Sequence, residues 1–192
     1  MKSPALLIAA ALVFAAPALA QKATPAAKKD EKPAMPAAPA AAEMKPMETA
    51  KASLKDAKGQ PVGDVTLEQT PHGVLIKGTL MNLPAGVHAI HIHETGKCEG
   101  PEFKTAGGHF NPGHKMHGML STGGKHEGDL PNLSAAPDGK VQFEFFANDG
   151  LTVQSLLDAD GSAIVVHAKA DDYKTDPAGD AGGRIACGTV SK

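Results

Sequence analysis

Apolar and polar residues alternate in short runs through most of the chain. In residues 62–69 the alternation puts Val65 and Leu67 on one side, and in residues 73–83 it puts Val74, Ile76, Gly78, Leu80 and Asn82 together. A period of two predicts half-buried strands, because successive strand side chains point to opposite faces. Residues 87–93, 140–147, 163–169 and 185–190 predict further strands. Lys58-Gly59, Asp138-Gly139, Asn148-Asp149-Gly150 and Asp160-Gly161 supply the turn chemistry between them. No window holds a helical period long enough to compete. Seven or eight short strands in about 140 residues predict an all-β domain, an eight-stranded Greek-key β-sandwich or barrel. Two glycine-rich stretches, 94–133 and 171–184, carry no such pattern. Loops of that length in a compact domain are usually functional.

The first 50 residues follow different rules. A lysine at position 2, an apolar run over 5–16 and the sequence Ala18-Leu19-Ala20 predict a cleaved signal peptide over 1–20. The run is too short to serve as a mature membrane span, and no later stretch approaches one. Residues 21–50 contain ten alanines, five prolines and no glycine or aromatic residue. That composition cannot bury enough apolar surface to offset chain ordering, which predicts a disordered linker. All 21 glycines lie beyond position 50, so the domain is placed at 51–192.

Without its signal the chain carries 18 basic and 21 acidic residues, with Arg184 the only arginine. An acidic excess argues against a nucleic-acid partner. An exported chain reaches a periplasmic or secreted location, where disulfides persist, and one pair between Cys98 and Cys187 is the simplest reading of its two cysteines. Two cysteines cannot build a Cys₄ zinc site, so any metal must be held by histidine and carboxylate.

Of nine histidines, seven lie between His91 and His167. His91 and His93, two apart on a predicted strand, project from the same face and offer two nitrogens to copper or zinc. His109, His117, His126 and Asp129 fall within 21 residues, a plausible tetrahedral zinc set on one loop. His167 ends the apolar run Ile164-Val165-Val166, with Asp171 four residues on. Taken singly, each has a blander reading: a surface pair, a buried histidine bonded to backbone, a turn aspartate.

Read together, the segments HAIHIHE (88–94), AGGHFNP (106–112), HG (117–118), HEGDLPNL (126–133), VVHAKADD (165–172) and AGGRIACG (181–188) resemble the copper,zinc superoxide dismutases, of the secreted bacterial kind. The resemblance implies copper on His91, His93, His109 and His167, and zinc on His109, His117, His126 and Asp129, with His109 shared. It implies that Asp171 links a copper-bound ring to a zinc-bound one, that Arg184 receives the anionic substrate, and that Cys98 and Cys187 are bridged. The activity it implies is dismutation of superoxide to oxygen and hydrogen peroxide, with His109 carrying a proton between the half-reactions.

Some features depart from the family pattern. The 171–184 loop is shorter than in cytosolic eukaryotic members, and Lys174 stands among Asp172, Asp176 and Asp180. Lys174 is either a guide for superoxide or a solvated loop lysine. The segment 97–104 is compact, so the dimer contacts of cytosolic members do not carry over; a homodimer is one option and the oligomeric state is open. His88, offset by an odd step from His91 and His93, is expected to face solvent, and His114 is a weaker alternative to His117. A rival from another class is a non-catalytic copper-binding module, which would be expected to lack ligands or the arginine. Met35, Met44 and Met47 offer thioethers to Cu(I), although three methionines in an Ala/Pro tail are more often incidental.

Overall fold

The structure is a computed structural model that describes residues 47–192. The expected signal peptide and nearly all of the expected linker lie outside the described residues.

Nine strands run β1 (Thr49–Asp56), β2 (Pro61–Thr70), β3 (Gly73–Leu80), β4 (Gly86–His88), β5 (Ile90–His93), β6 (Leu133–Ala135), β7 (Val141–Ala147), β8 (Ala163–His167) and β9 (Arg184–Ser191). Seven form one curled sheet in the order β5-β8-β9-β1-β2-β3-β7, and β4 pairs with β6 in a second, short ribbon. Every pairing is antiparallel. No described helix is long and apolar enough to cross a membrane.

The alternation places the core as expected. Val65 and Leu67 of β2, Val74, Ile76 and Leu80 of β3, and Ile90 and Ile92 of β5 are fully buried together with Ile164 and Val166 of β8. Gly78 sits among them because it lies under the Phe143 ring, which a β-carbon would strike. Asn82 does not join this face: β3 ends at Leu80, and Asn82 is exposed with φ 60°.

Three differences from the expected strands have physical causes. The run 87–93 is split at Ala89, whose N–H donates to Lys169 O (2.8 Å) while its carbonyl accepts from the His167 N–H (2.9 Å). Strand β1, which starts at Thr49, buries Ala50, Ala52 and Leu54, and its alternation is muted because two of those residues are alanines. The three-residue β6 is too short to show a period. Counting β4 and β5 as one interrupted strand restores eight.

Candidate metal centre

Two loop segments are laid alongside β5 by backbone hydrogen bonds. The Phe110 N–H donates to Ile92 O (2.8 Å), the Ile92 N–H to Gly128 O (2.9 Å), and the Gly128 N–H to Phe110 O (2.9 Å). Gly128 is required at this crossing, since a β-carbon there would collide with Ile92 O. The result sets His109 opposite His93 and Asp129 opposite His91. His167 arrives from the neighbouring end of β8.

His91, His93, His109 and His167 converge, all buried. Each ring is anchored at one nitrogen. His91 Nε2 lies 2.7 Å from Asp171 Oδ2, His93 Nδ1 3.0 Å from Gly107 O, His109 Nδ1 2.9 Å from Asp129 Oδ1, and His167 Nδ1 3.4 Å from Gly182 O. The opposite nitrogens, His91 Nδ1 and Nε2 of His93, His109 and His167, have no hydrogen-bond partner. Buried polar atoms are ordinarily paired, and an unpaired one costs about 1–3 kcal/mol. The four residues can each offer one ligand atom within 4.8 Å of the others, so together they could hold a metal ion.

The second cluster surrounds Asp129. Its Oδ1 lies 2.9 Å from His109 Nδ1, 3.1 Å from His117 Nδ1 and 3.2 Å from His126 Nδ1. Its Oδ2 accepts the N–H groups of Gly118 (2.9 Å) and His126 (3.0 Å), which aims Oδ1 at the rings. His126 Nδ1 and His109 Nδ1 are only 3.3 Å apart. Three nitrogens and one carboxylate oxygen facing a point suit a tetrahedral divalent cation. The Asp171 carboxylate joins the clusters, Oδ2 on His91 and Oδ1 on His117 Nε2 (3.0 Å), with the Tyr173 N–H donating to Oδ1 (2.6 Å). Asn132 and Asp171 hold each other by two further bonds of 2.8 and 2.9 Å.

Burial governs the protonation of these groups. It pushes His93 well below the usual imidazole value, His109 to about 4 and His167 to about 3, with neighbouring rings adding to the effect. Burial also pulls on His117, but its bonds to Asp129 and Asp171 outweigh it and raise the ring to about 9. Burial would raise Asp129 and Asp171, yet the donors around them hold both carboxyls below the usual range. Rings with lowered pKa stay neutral in the fold while their unfolded counterparts protonate below about 6.5, so stability present above that pH is lost on acidification. The raised His117 has its contribution complete below 6.5 and loses it as pH rises through 9. Demetallated protein is therefore expected to melt lower at pH 5 than at pH 7, losing about 1.4 kcal/mol per pH unit for each ring that stays neutral. Equal melting temperatures in calorimetry would contradict the neutral rings.

Arg184 opens β9 opposite His167. Its Nη1 donates to Phe103 O (2.7 Å) and its Nη2 to Gly107 O (2.6 Å). Both carbonyls belong to the segment tethered by the Cys98–Cys187 disulfide, which spans 89 residues of sequence. Arg184, His93, His109 and His167 line a cavity of about 490 Å³ that also reaches Lys115.

His88 does not face solvent. It is buried, with Nδ1 2.9 Å from His167 O and Nε2 2.8 Å from Pro84 O. The break at Ala89 resets the strand parity, so the odd offset from His91 no longer means the opposite face. His88 thus braces the backbone of His167, a role no motif announced. His114, with φ 49°, lies on the cavity wall outside both clusters, and Lys174 is exposed and absent from that wall.

The sequence pattern of the family described as copper/zinc superoxide dismutase matches residues 61–190. A superoxide dismutase [Cu-Zn] of Aquifex aeolicus is 47% identical over 145 residues, covering 72% of this chain and 85% of the relative. One from Caulobacter vibrioides is 45% identical over 148 residues, covering 74% and 85%. Among solved structures, a superoxide dismutase-like protein from Bacillus subtilis superposes with a TM-score of 0.68 at 41% identity, covering 72% of this chain and 96% of that one. The Cu/Zn superoxide dismutase from Brucella abortus gives 0.65 at 30% identity, covering 75% and 100%. With two histidine clusters sharing one ring on an antiparallel β scaffold, the chain belongs to the copper/zinc superoxide dismutases, oxidoreductases that dismutate superoxide with copper and zinc.

Proposed function

We propose that copper is held by His91 Nδ1 and by Nε2 of His93, His109 and His167, and zinc by Nδ1 of His109, His117 and His126 with Asp129 Oδ1. The observation that carries this reading is the set of four unpartnered ring nitrogens, each on a ring whose other nitrogen is already engaged. Four imidazoles suit a metal that changes oxidation state, whereas three imidazoles and a carboxylate with no open position suit structural zinc. Copper bound there supplies the one-electron exchange that dismutation needs.

The remaining work falls to the chain. Arg184 uses two of its five N–H groups on carbonyls, and the others are left to receive an anion. Two superoxide ions and two protons give one oxygen and one hydrogen peroxide, so a proton must be kept at hand. His109 Nε2, on the copper side of the ring that the two clusters share and beside the cavity, is the atom placed to hold it whenever it is not bound to copper. Asp171 keeps His91 and His117 in fixed orientation, as ligating imidazoles require. We place the enzyme outside the cytoplasm, supported by the export signature in residues 1–20 and the Cys98–Cys187 disulfide.

Metal analysis tests the assignment. Protein saturated with both ions is expected to hold one copper and one zinc per chain and to consume superoxide. A saturated protein with a single metal site per chain would overturn it.

A further inference from the structure

The loop that carries His117 and the loop that follows Asp171 meet at Tyr173, whose three polar groups are all engaged. Its N–H donates to Asp171 Oδ1 (2.6 Å), its carbonyl accepts the Leu120 N–H (3.0 Å), and its hydroxyl oxygen accepts the Asn132 N–H (2.7 Å). Each bond reaches a different part of the centre: the bridging carboxylate, the chain just past His117, and the stretch just past Asp129.

The hydroxyl bond closes a ring. Asn132, gripped through its N–H by the phenol, returns to Asp171 with its side chain. Its Oδ1 accepts the Asp171 N–H (2.8 Å) and its Nδ2 donates to the Asp171 carbonyl (2.9 Å). Asp171 is thus fixed on its backbone by Asn132 and at one carboxylate oxygen by the Tyr173 N–H. Two glycines leave the space this needs: a β-carbon on Gly179 would strike Asp171 Oδ1, and one on Gly118 would strike the Tyr173 carbonyl. The Gly118 N–H also donates to Asp129 Oδ2 (2.9 Å), so the junction touches the carboxylate of the second cluster as well.

Tyr173 holds a backbone conformation that its side chain disfavours. Its φ is 62°, in the left-handed region that glycine and asparagine enter readily and tyrosine does not. Residues persist there when their surroundings over-determine them, and such residues cluster at functional sites. A glycine would make both backbone bonds without strain. What the tyrosine adds is the hydroxyl that reaches Asn132.

We propose that Tyr173 is a positioning residue for the metal centre: through Asn132 its hydroxyl locks the Asp171 carboxylate, and with it the aim of His91 and His117. This rests on the copper and zinc assignment above. Ligating imidazoles need a fixed partner on their other nitrogen, and a carboxylate free to turn would supply none.

Tyr173→Phe keeps the ring and removes the acceptor. Two readouts on fully loaded protein are expected to move. Zinc release to excess chelator should quicken about three- to tenfold, the effect of one lost hydrogen bond on a rate. The visible band of the bound copper should shift, because His91 is re-aimed. In an Asp171→Asn background, where the bridge is already impaired, Tyr173→Phe should leave the copper band where Asp171→Asn alone puts it, since both changes act through one carboxylate. If either release or the copper band stays native in Tyr173→Phe, whatever happens to the melting temperature, the proposal is overturned. A further band shift in the Asp171→Asn background overturns it too, because Tyr173 would then act by another route. A native chain that bound no zinc would fell the cluster assignment itself, whereas native zinc binding with an indifferent Tyr173→Phe variant fells only the role of Tyr173.

Discussion

Replacing Arg184 with alanine is expected to lower superoxide turnover about ten- to a hundredfold while both metals stay bound. The estimate follows from a charge-assisted hydrogen bond to substrate, worth about 1.5–3 kcal/mol and lost directly from the barrier. The structure adds a qualification that must be controlled. Gly107 O accepts from both Arg184 Nη2 and His93 Nδ1, so removing the guanidinium leaves His93 as that carbonyl's partner. The visible copper spectrum therefore has to be recorded beside the rate, because a displaced His93 would alter it. Arg184→Lys keeps the charge, but an ammonium cannot span Phe103 O and Gly107 O as the planar fork does, and intermediate activity is expected. A fully active Arg184→Ala enzyme would make the arginine a mere strut between β9 and the disulfide segment.

Replacing Asp129 with asparagine is expected to empty the zinc site, leave copper bound and lower the melting temperature by roughly 10 °C. The amide fits in neither orientation. With its nitrogen at the Oδ2 position it meets the N–H groups of Gly118 and His126 donor to donor. Turned over, the nitrogen faces the rings and no longer offers a metal ligand. Either way buried donors lose their acceptor, at about 1–3 kcal/mol each, and about 3 kcal/mol corresponds to a shift of that size for a domain of this length. The loss of the ion's own binding energy adds to it. Metal content and calorimetry report the two halves separately. Zinc retained at full occupancy, or copper lost while zinc stays, would reverse the assignment of the clusters.

Much of this was legible in the chain. Alternation located β2, β3 and β7, whose core faces carry large aliphatic or aromatic residues and whose outer faces are more polar, whereas β8 showed as a continuous apolar run because it is buried on both faces. Motif spacing picked out the side chains that converge. What spacing could not convey is which nitrogen of each ring points inward, since that depends on Gly107, Gly182, Asp129 and Asp171 arriving from elsewhere. His88 lies on the buried side, against its parity in the sequence, because parity holds only while a strand is continuous and a long-range pair of hydrogen bonds at Ala89 breaks it. Lys174 and Lys115 illustrate a similar limit. Both are loop lysines near ligand motifs, and only the fold decides that one lines the cavity and the other does not.

The Asp171 carboxylate has one oxygen on a ring of each cluster, so neither site can be formed without constraining its neighbour. Filling either site immobilises His91 or His117, and through the shared carboxylate part of the ordering cost of the other is already met. Thermodynamic linkage then makes the effect mutual: whatever factor zinc contributes to copper affinity, copper must return to zinc. Metal occupancy in this chain is thus a cooperative variable. Under limiting supply, a population of molecules should divide into empty and doubly filled forms more sharply than two independent affinities would allow.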